Sequence, residues 1–302
     1  MKLVTYRSTD GQARVGAVVD DRVVDLDDAV RRLVVPDDVR RELSRHGLAP
    51  AAGGMLRLLQ AGPDAMPALA AQLHARPGRP LGQVELLAPL PRPGKIVAVG
   101  RNYADHAKET GVVPFERPRI IAKLPSSVCG PGARVAVPPG VTKLDFEIEL
   151  AVVIGAFAHR VSRPQALSVV AGYTIVNDLS AREFQFDVTP AQTTFAKSLD
   201  GFCPMGPWLV TADEIADPQA LELSCRVNGV TMQRGRTADM LFAVAPLIEY
   251  LSTLMTLEPG DVLATGTPAG SGAFRSPPQW LHPGDRLQLE VSGIGVLEHE
   301  IV

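Results

Sequence analysis

After residue 94 the chain is dominated by short apolar runs, rich in β-branched residues, that are bounded by glycine, proline and other turn residues. Runs of this length between turn signals are typical of β-strands. One segment, Asp239 to Met255, instead has apolar residues at helical spacing. The pattern predicts an α+β chain that is mostly β, with a strand-dominated domain at residues 89–302. The predicted strands contain KIVAVG, RVAVPP, FEIELAVVIG, GYTIVND, PWLVT, LELSCRVNG, GDVLATGT and GDRLQLEVSG.

The sequence pattern of residues 1–88 is different and predicts a separate small α+β domain. Val15–Asp25 reads as two short strands around an aspartate pair, and Leu26–Leu33 and Met55–Leu73 have helical apolar spacing. The proline-rich stretch Ala88–Gly94 should be extended and stiff, so it is the predicted boundary. No motif with chemical content occurs before it, which favours a supporting role for this domain.

Charge and cysteine usage narrow the class of protein. The net charge is −3 and no Lys/Arg run occurs, so the sequence predicts neither a nucleic-acid nor a membrane partner. We find no signal-peptide pattern and no apolar run of 18 residues. The three cysteines form no CxxC pair and have no metal-site spacing. We therefore expect a cytoplasmic protein with small buried thiols.

The run FEIELAVVIG carries the strongest local signal. Read as a strand, it places Phe146, Ile148 and the following alternate residues on one face, and Glu147 and Glu149 together on the other. Two like charges so close in an apolar strand are costly unless a cation neutralises them, and hard divalent cations prefer carboxylate oxygens. The alternative is an edge strand with solvated carboxylates, and the pattern alone favours neither.

A third carboxylate follows another predicted strand, in GYTIVNDLSAREFQ. Asp178 comes at the end of the apolar run, and Arg182 and Gln185 follow in a short polar segment. A lone aspartate at this position is most often a turn or N-cap residue. Asp178 becomes a candidate metal ligand only together with the two glutamates.

The segment GRNYADHAKE, after the strand KIVAVG, supplies a candidate general base. His106 and Glu109 are three residues apart and would share one face of a short helix, where the carboxylate can tune the imidazole. A solvated helix face is the alternative. The segment from about Asn102 to Pro118 is polar, contains Gly111 and Pro114, and is predicted to be a lid that orders over substrate.

Two lysines and one turn complete the candidates. Lys123 in IIAKLPSS and Lys197 in TFAKSLDG lie among apolar and small residues, so each needs an anionic partner, either a metal-site carboxylate or a substrate oxyanion. The turn ATGTPAG, residues 264–270, offers backbone N–H groups and hydroxyls to an anion, although a simple tight turn would look the same.

In this order, these segments resemble the fumarylacetoacetate hydrolase family. The resemblance covers residues 90–302 and rests on GRNYADHAKE, LDFEIELAVVIG, GYTIVNDLSAREFQ, AKSLDGFCPMGPW and LEPGDVLATGTPAG followed by PPQWLHPGD. It implies a mixed β-sheet roll with the site at one mouth, and a homodimer built through the second domain.

The resemblance also implies roles for particular residues. Glu147, Glu149 and Asp178 would hold one divalent cation, Mg²⁺ in the first instance with Mn²⁺ or Ca²⁺ as alternatives, which chelates a small oxo-acid. His106 and Glu109 would activate water or move a proton, and Lys197 would stabilise charge developing on an oxygen. The residues assigned to substrate binding are Tyr103, Lys123, Arg182, Gln185 and Thr267.

Three functions are consistent with this site. The first is metal-dependent hydrolysis of a C–C bond in a β-diketo acid of the acylpyruvate type. The second is a lyase or isomerase reaction, such as decarboxylation, hydration or tautomerisation, on a 2-oxo-dicarboxylate of aromatic catabolism. The third is a non-catalytic, metal-stabilised binding protein. Two features depart from the family pattern, the segment Phe186–Thr194 and Arg236, and both are candidates to contact the distal part of a substrate.

Overall fold

The fold is that of a computed structural model, which describes residues 1–73, 76–109, 111, 113 and 115–302. Strands account for 33% and helices for 26%, which confirms the prediction of a mainly β, mixed-sheet architecture. The strands are β1 Lys2–Arg7, β2 Ala13–Val19, β3 Arg22–Asp25, β4 Gly78–Pro80, β5 Glu85–Leu87, β6 Ile96–Gly100, β7 Arg119–Lys123, β8 Val128–Cys129, β9 Arg134–Val135, β10 Leu144–Asp145, β11 Ile148–Ile154, β12 Val170–Asn177, β13 Ser180–Ala181, β14 Cys203–Thr211, β15 Glu222–Val227, β16 Val230–Arg236, β17 Val262–Ala264, β18 Arg286–Val291 and β19 Gly295–Ile301. The α-helices are α1 Asp27–Arg31, α2 Asp37–Arg45, α3 Gly54–Ala61, α4 Ala65–Leu73, α5 Ala104–Glu109, α6 Glu183–Phe186, α7 Thr193–Ala196 and α8 Val244–Leu254.

A large sheet connects the two halves of the chain. Its strands follow the order β4-β3-β2-β1-β14-β12-β11-β17-β6-β7, with β5 on β1 and β8 on β14. A second sheet has the order β16-β15-β18-β19-β9, and β10 pairs with β13. Most neighbours are antiparallel, but β17 with β6, β14 with β8 and β19 with β9 are parallel. The sheets are therefore mixed.

The N-terminal residues add strands and helices to this large sheet. The predicted hairpin forms from β2 and β3, and its two-residue loop, Asp20 and Asp21, has φ of 47° and 56°. Positive φ at both loop residues gives the turn whose twist suits a hairpin. Strand β1 pairs with β14, and Leu3 and Leu58 share a core with Val153. The boundary predicted near residue 88 stays a prediction, since both sides of it contribute to one core.

Strand β11 lies in the interior of the large sheet, between β12 and β17, and all of its residues are buried. Its two faces contribute to different cores. Ile148, Leu150 and Val152 pack on one side, and Ala151 and Val153 pack on the other with N-terminal residues. The alternating pattern thus describes a strand covered on both faces, so the solvated-edge alternative does not apply.

The helices differ from the sequence pattern in three places. The segment predicted as helical from Asp239 begins its helix only at Val244, because the backbone N–H groups of Leu241 and Phe242 donate to Asn102. The apolar spacing at residues 55–73 is divided into α3 and α4 at the Gly62–Pro63 pair. Helix α2 was not predicted, since its sequence DDVRRELSR is mostly charged and has few apolar positions.

Candidate metal centre and catalytic site

Three buried carboxylates converge where β11 begins and β12 ends. Glu147 precedes β11, Glu149 lies in it, and Asp178 follows β12, which pairs with β11 in antiparallel register. The Asp178 N–H donates to the Glu147 carbonyl at 2.9 Å, which ties the two chain segments together. One oxygen from each carboxylate lies within 4.8 Å of the others, and all three residues are 5% exposed or less. The structure thus brings together the three residues predicted as metal ligands.

Two of the three carboxylates have cationic partners. Lys197 Nζ donates to Glu147 Oε2 and Asp178 Oδ2, each at 2.6 Å, and to the Ser180 hydroxyl at 2.9 Å. Arg182 Nη2 donates to Glu147 Oε1 at 2.5 Å. Burial by itself would raise the pKa of Glu147, but Arg182 and Lys197 outweigh it and hold this pKa below its usual range. Glu147 is therefore ionised and held in one orientation.

Glu149 has no cationic partner among the residues that the structure describes. Its Oε2 accepts a hydrogen bond from the Gly266 N–H at 2.8 Å. Burial, followed by repulsion from Asp178 and Glu147, raises its pKa well above the ordinary 4.5. A buried carboxylate that lacks a cation, 4.8 Å or less from two others, fits a site for a hard divalent cation. The donor set is oxygen only, as Mg²⁺ and Mn²⁺ prefer.

His106 and Glu109 form the predicted dyad on α5. His106 Nδ1 lies 2.7 Å from Glu109 Oε1, and the imidazole packs edge-on to Phe274 with ring centroids 5.5 Å apart. The Gly270 N–H donates to both oxygens of Glu109, at 3.0 and 3.2 Å. The turn that contains Gly270 therefore holds the dyad, and since His106 is 4% exposed the solvated-face alternative does not apply. Of the predicted lid, residues 110, 112 and 114 lie outside the described residues, and its mobility stays a prediction.

A cavity of about 180 Å³ joins the dyad to the carboxylates. Eight of the eleven residues predicted for the site line this cavity. Glu109, Tyr103 and Lys123 do not line it. The lining residues are Ala98, Val99, Gly100, Arg101, His106, Arg119, Ile121, Glu147, Glu149, Asp178, Arg182, Gln185, Phe186, Ala191, Thr193, Lys197, Thr267 and Phe274.

Tyr103 and Lys123 are buried outside the cavity. Lys123 is buried, and its ammonium donates to Asp178 Oδ1 at 2.7 Å, to the Phe202 carbonyl at 3.0 Å and to the Lys197 carbonyl. Of the two partners considered from sequence, a metal-site carboxylate or a substrate oxyanion, the structure shows the carboxylate. Tyr103 is fully buried, and its hydroxyl has no hydrogen-bond partner among the described residues. Neither side chain contacts the cavity, so their assignment to substrate is not supported by this geometry.

The other predicted substrate residues lie at the cavity wall. Arg182 also donates to Gln185 Oε1 at 2.8 Å and, through Nε, to Asp145 Oδ2 at 2.8 Å. The Thr267 hydroxyl donates to the Ile148 carbonyl at 2.8 Å and accepts from Gln233 Nε2 at 2.8 Å. The Thr267 hydroxyl therefore donates its proton within the protein.

Sequence reasoning missed several residues that shape the site. Asp145 holds Arg182 and accepts from the Gly272 and Ala273 N–H groups, yet it stands beside the glutamates in LDFEIEL and could have been found there. Arg101 and Arg119 line the cavity; Arg101 lies in the segment GRNYADHAKE but was not singled out there, and Arg119 lies in no motif. Of the two departures from the family pattern, Phe186–Thr194 contributes Phe186, Ala191 and Thr193 to the lining. Arg236 is exposed and pairs with Glu222 at 2.9 Å.

A buried polar pair stabilises the start of β11. Asn177 Oδ1 accepts from the Glu147 N–H at 2.9 Å, and Asn177 Nδ2 donates to His299 Nε2 at 2.9 Å. Burial lowers the pKa of His299 to about 4, so the imidazole is neutral at pH 7 and can accept this hydrogen bond. His299, which carries no motif in the sequence, thus helps to position a candidate metal ligand.

Comparison with known proteins agrees with this geometry. Residues 95–302 match the family model described as fumarylacetoacetate (FAA) hydrolase C-terminal. The chain belongs to this family. It is 45% identical to the mitochondrial oxaloacetate tautomerase FAHD2A of Homo sapiens over 235 residues, which are 78% of this chain and 74% of the relative. Members of the family are therefore enzymes with more than one type of reaction.

Two solved structures extend over the whole chain. A fumarylacetoacetate hydrolase from Exiguobacterium antarcticum has a TM-score of 0.80 and 34% identity, and the match covers 100% of this chain and 99% of that one. A maleylpyruvate hydrolase from Sphingobium sp. SYK-6, in complex with manganese(II) and pyruvate, has a TM-score of 0.78 and 29% identity with the same coverage. The family and the fold inferred from the sequence motifs are thereby confirmed.

Proposed function

We propose that this protein is a divalent-metal-dependent enzyme that enolises a small 2-oxo acid, and that its reaction is keto–enol tautomerisation. One observation carries the proposal. His106, which is held by Glu109, lines one cavity of about 180 Å³ together with the carboxylates Glu147, Glu149 and Asp178, so a base and a cation site would reach the same small molecule. The tautomerase activity named for the 45% identical human relative supports this reaction type.

The proposed metal would be Mg²⁺ or Mn²⁺, and Glu147, Glu149 and Asp178 would hold it. When bound, such a cation acts as a Lewis acid that polarises a carbonyl oxygen and orients a chelating acid. The presence of manganese(II) with pyruvate in the structure of the Sphingobium relative supports this assignment.

The chain's own residues divide the proton transfer between them. With Nδ1 engaged by Glu109, His106 has Nε2 left to take a proton from the carbon beside the 2-oxo group. The C–H electron pair moves into the new C=C bond and the carbonyl oxygen becomes an enolate oxygen. That oxygen then takes the proton from the His106 imidazolium, directly or through a water molecule, so the neutral imidazole is regenerated. Lys197 has a raised pKa, since Asp178 and Glu147 outweigh the effect of burial, and its ammonium can stabilise charge on that oxygen.

C–C bond hydrolysis is the second candidate, and the same dyad favours it. His106 can take a proton from a water molecule instead of from carbon, and the water oxygen would then attack the distal carbonyl of a β-diketo acid. The maleylpyruvate hydrolase activity of the Sphingobium relative supports this alternative. Collapse of that adduct would break the C–C bond and release the enolate, which is then protonated. Both candidates thus form an enolate at the same place, but they differ in the atom that His106 deprotonates and in the C–C bond, which only hydrolysis breaks.

One experiment distinguishes the two candidates. Protein loaded with Mn²⁺ or Mg²⁺ is mixed with enol-enriched oxaloacetate and, separately, with an acylpyruvate. Tautomerisation is followed by the loss of enol absorbance at unchanged mass, and hydrolysis by the appearance of two shorter acids in mass spectrometry. We expect acceleration of the first reaction; two shorter acids would favour the second, and no acceleration of either would reject both. A cytoplasmic location and a role in aromatic catabolism stay predictions.

A further inference from the structure

The wall of the cavity carries two arginines that have no carboxylate partner among the described residues. Arg101 and Arg119 both line it, and neither forms a salt bridge or a hydrogen bond to another described residue. Arg182, by contrast, is neutralised by Asp145 at 2.8 Å and Glu147 at 2.5 Å. Half-buried arginines that line a cavity and have no counter-ion are available to bind an anionic ligand, which would compensate the cost of their partial burial.

The register of the sheet brings these two arginines together. Strands β6 and β7 are antiparallel, and Gly100, the last residue of β6, lies opposite Arg119, the first residue of β7. The Arg119 side chain lies next to Gly100, since a Cβ built at position 100 would lie 3.5 Å from Arg119 Cδ, in van der Waals contact, and Arg101 follows Gly100 directly in the chain. The proximity of the two arginines thus depends on how β6 pairs with β7.

The backbone and surroundings of Arg101 also point to a built site. Its φ of 57° lies in the left-handed region, which is unfavourable for a residue with a side chain and recurs at ligand sites. Its guanidinium lies 5.8 Å from the ring centre of Phe115, where a cation–π contact holds it. Burial and then the positive charges of Arg119 and Arg182 lower its pKa, as expected where cations outnumber anions.

We propose that Arg101 and Arg119 bind a second carboxylate of the substrate, distant from the reacting 2-oxo group, so that the enzyme selects dicarboxylates over monocarboxylates of equal chain length. The inference rests on the proposed function for the position of the reacting end. Guanidinium groups bind carboxylates through paired, charge-assisted hydrogen bonds, which gives them this selectivity.

A binding assay tests the inference without turnover. Malate and 2-hydroxybutanoate share a four-carbon chain and a 2-hydroxy acid end, and only malate has the distal carboxylate. Their dissociation constants are measured by calorimetry at fixed Mn²⁺ for the wild type, Arg101→Gln, Arg119→Gln and the two Arg→Lys variants. Arg226→Gln is the control, because Arg226 is exposed on β15 and does not line the cavity.

We expect the wild type to prefer malate, and each Arg→Gln variant to reduce this preference roughly 10- to 100-fold, the value of one charge-assisted hydrogen bond. Affinity for 2-hydroxybutanoate should stay within about threefold, and the Arg→Lys variants should recover part of the preference. An unchanged malate preference in both Gln variants, no preference in the wild type, or binding of neither acid would overturn the inference. Circular dichroism verifies that each variant is folded.

The inference and the proposed function can fail separately. If the wild type prefers malate through Arg101 and Arg119 but enolises no 2-oxo acid, the proposed reaction is wrong and the carboxylate subsite stands. If oxaloacetate is enolised normally in both Gln variants with unchanged KM, the reaction stands and the subsite is wrong.

Discussion

Replacing Glu147 by glutamine should lower the stability of the metal-free protein, whereas replacing Glu149 by glutamine should not. Glu147 accepts from Arg182 at 2.5 Å and from Lys197 at 2.6 Å, with all three side chains buried. A glutamine cannot serve both cations, because its NH₂ group would face a donor. Removing one partner of a buried ion pair costs about 3–5 kcal/mol, since the remaining charge is left uncompensated.

Glu149→Gln should leave the metal-free protein at least as stable as the wild type. Glutamine keeps an oxygen that can accept the Gly266 N–H, now at 2.8 Å, and it removes a carboxyl group whose charge has no cationic partner among the described residues. The pH dependence follows from the raised pKa of Glu149. Above pH 4.5 the folded metal-free state holds a proton that the unfolded chain releases, so wild-type stability falls as pH rises towards the raised pKa. The Glu149→Gln variant should lack this slope.

Thermal unfolding in EDTA at pH 8 measures both effects. At about 2.1 cal/mol/K per residue, the 302 residues give an unfolding entropy of about 0.63 kcal/mol/K, so a loss of 3–5 kcal/mol lowers Tm by about 5–8 °C. Free Mn²⁺ at 100 times its Kd stabilises the folded wild type by about 2.7 kcal/mol and should therefore raise its Tm by about 4 °C. The Tm of neither variant should rise. Equal Tm values for the two variants in EDTA would refute the charge assignment.

Four further outcomes are expected. His106→Ala should lower the rate about 10²- to 10⁴-fold with Mn²⁺ affinity unchanged, and Glu109→Gln should be milder if Glu109 only orients the imidazole; full activity of His106→Ala would reject the dyad. The pKa of His299 is lowered to about 4, so the folded state resists protonation of this imidazole. Its contribution to the free energy of unfolding should therefore be complete above about pH 6.5 and should fall by up to about 3 kcal/mol as the pH drops to 4. In urea unfolding, the variant His299→Gln should lack this fall. Light scattering should give twice the chain mass, as a homodimer built through residues 89–302 requires, and a monomer at micromolar concentration would reject it. Hydrogen exchange across residues 102–118 should slow when a substrate analogue binds, and equal rates with and without it would exclude a lid.

The centre of the site was predicted from local patterns together with the resemblance to the family, because the patterns alone left the solvated alternatives open. The period-two pattern places Glu147 and Glu149 on one face of one strand, and this needs no knowledge of the fold. Asp178 could be included because ligands often stand at strand ends. The i, i+3 spacing of His106 and Glu109 likewise reports their contact before any tertiary structure is known.

The features that could not be predicted depend on pairing between distant segments. Arg119 faces the cavity because β7 pairs with β6 in one particular register, which a single sequence does not reveal. Lys123 is committed to Asp178 for the same reason. The start of α8 at Val244 depends on Asn102, 142 positions earlier, which binds the backbone that would otherwise continue the helix.

The balance of charge in the site connects the proposed metal with the proposed substrate. Four buried carboxylates meet three buried cations, and the raised pKa of Glu149 lets that carboxyl group keep a proton, so the metal-free centre is close to neutral. A divalent cation that displaces this proton would leave one positive charge in excess, and the two arginines of the wall, which have no carboxylate partner among the described residues, would bring the total to three. Such a cavity favours an anion, and a dicarboxylate that becomes an enolate would supply negative charge at both ends, next to the cation site and next to the arginines. The groups counted are Asp145, Glu147, Glu149 and Asp178 against Lys123, Arg182 and Lys197, with Arg101 and Arg119 at the wall.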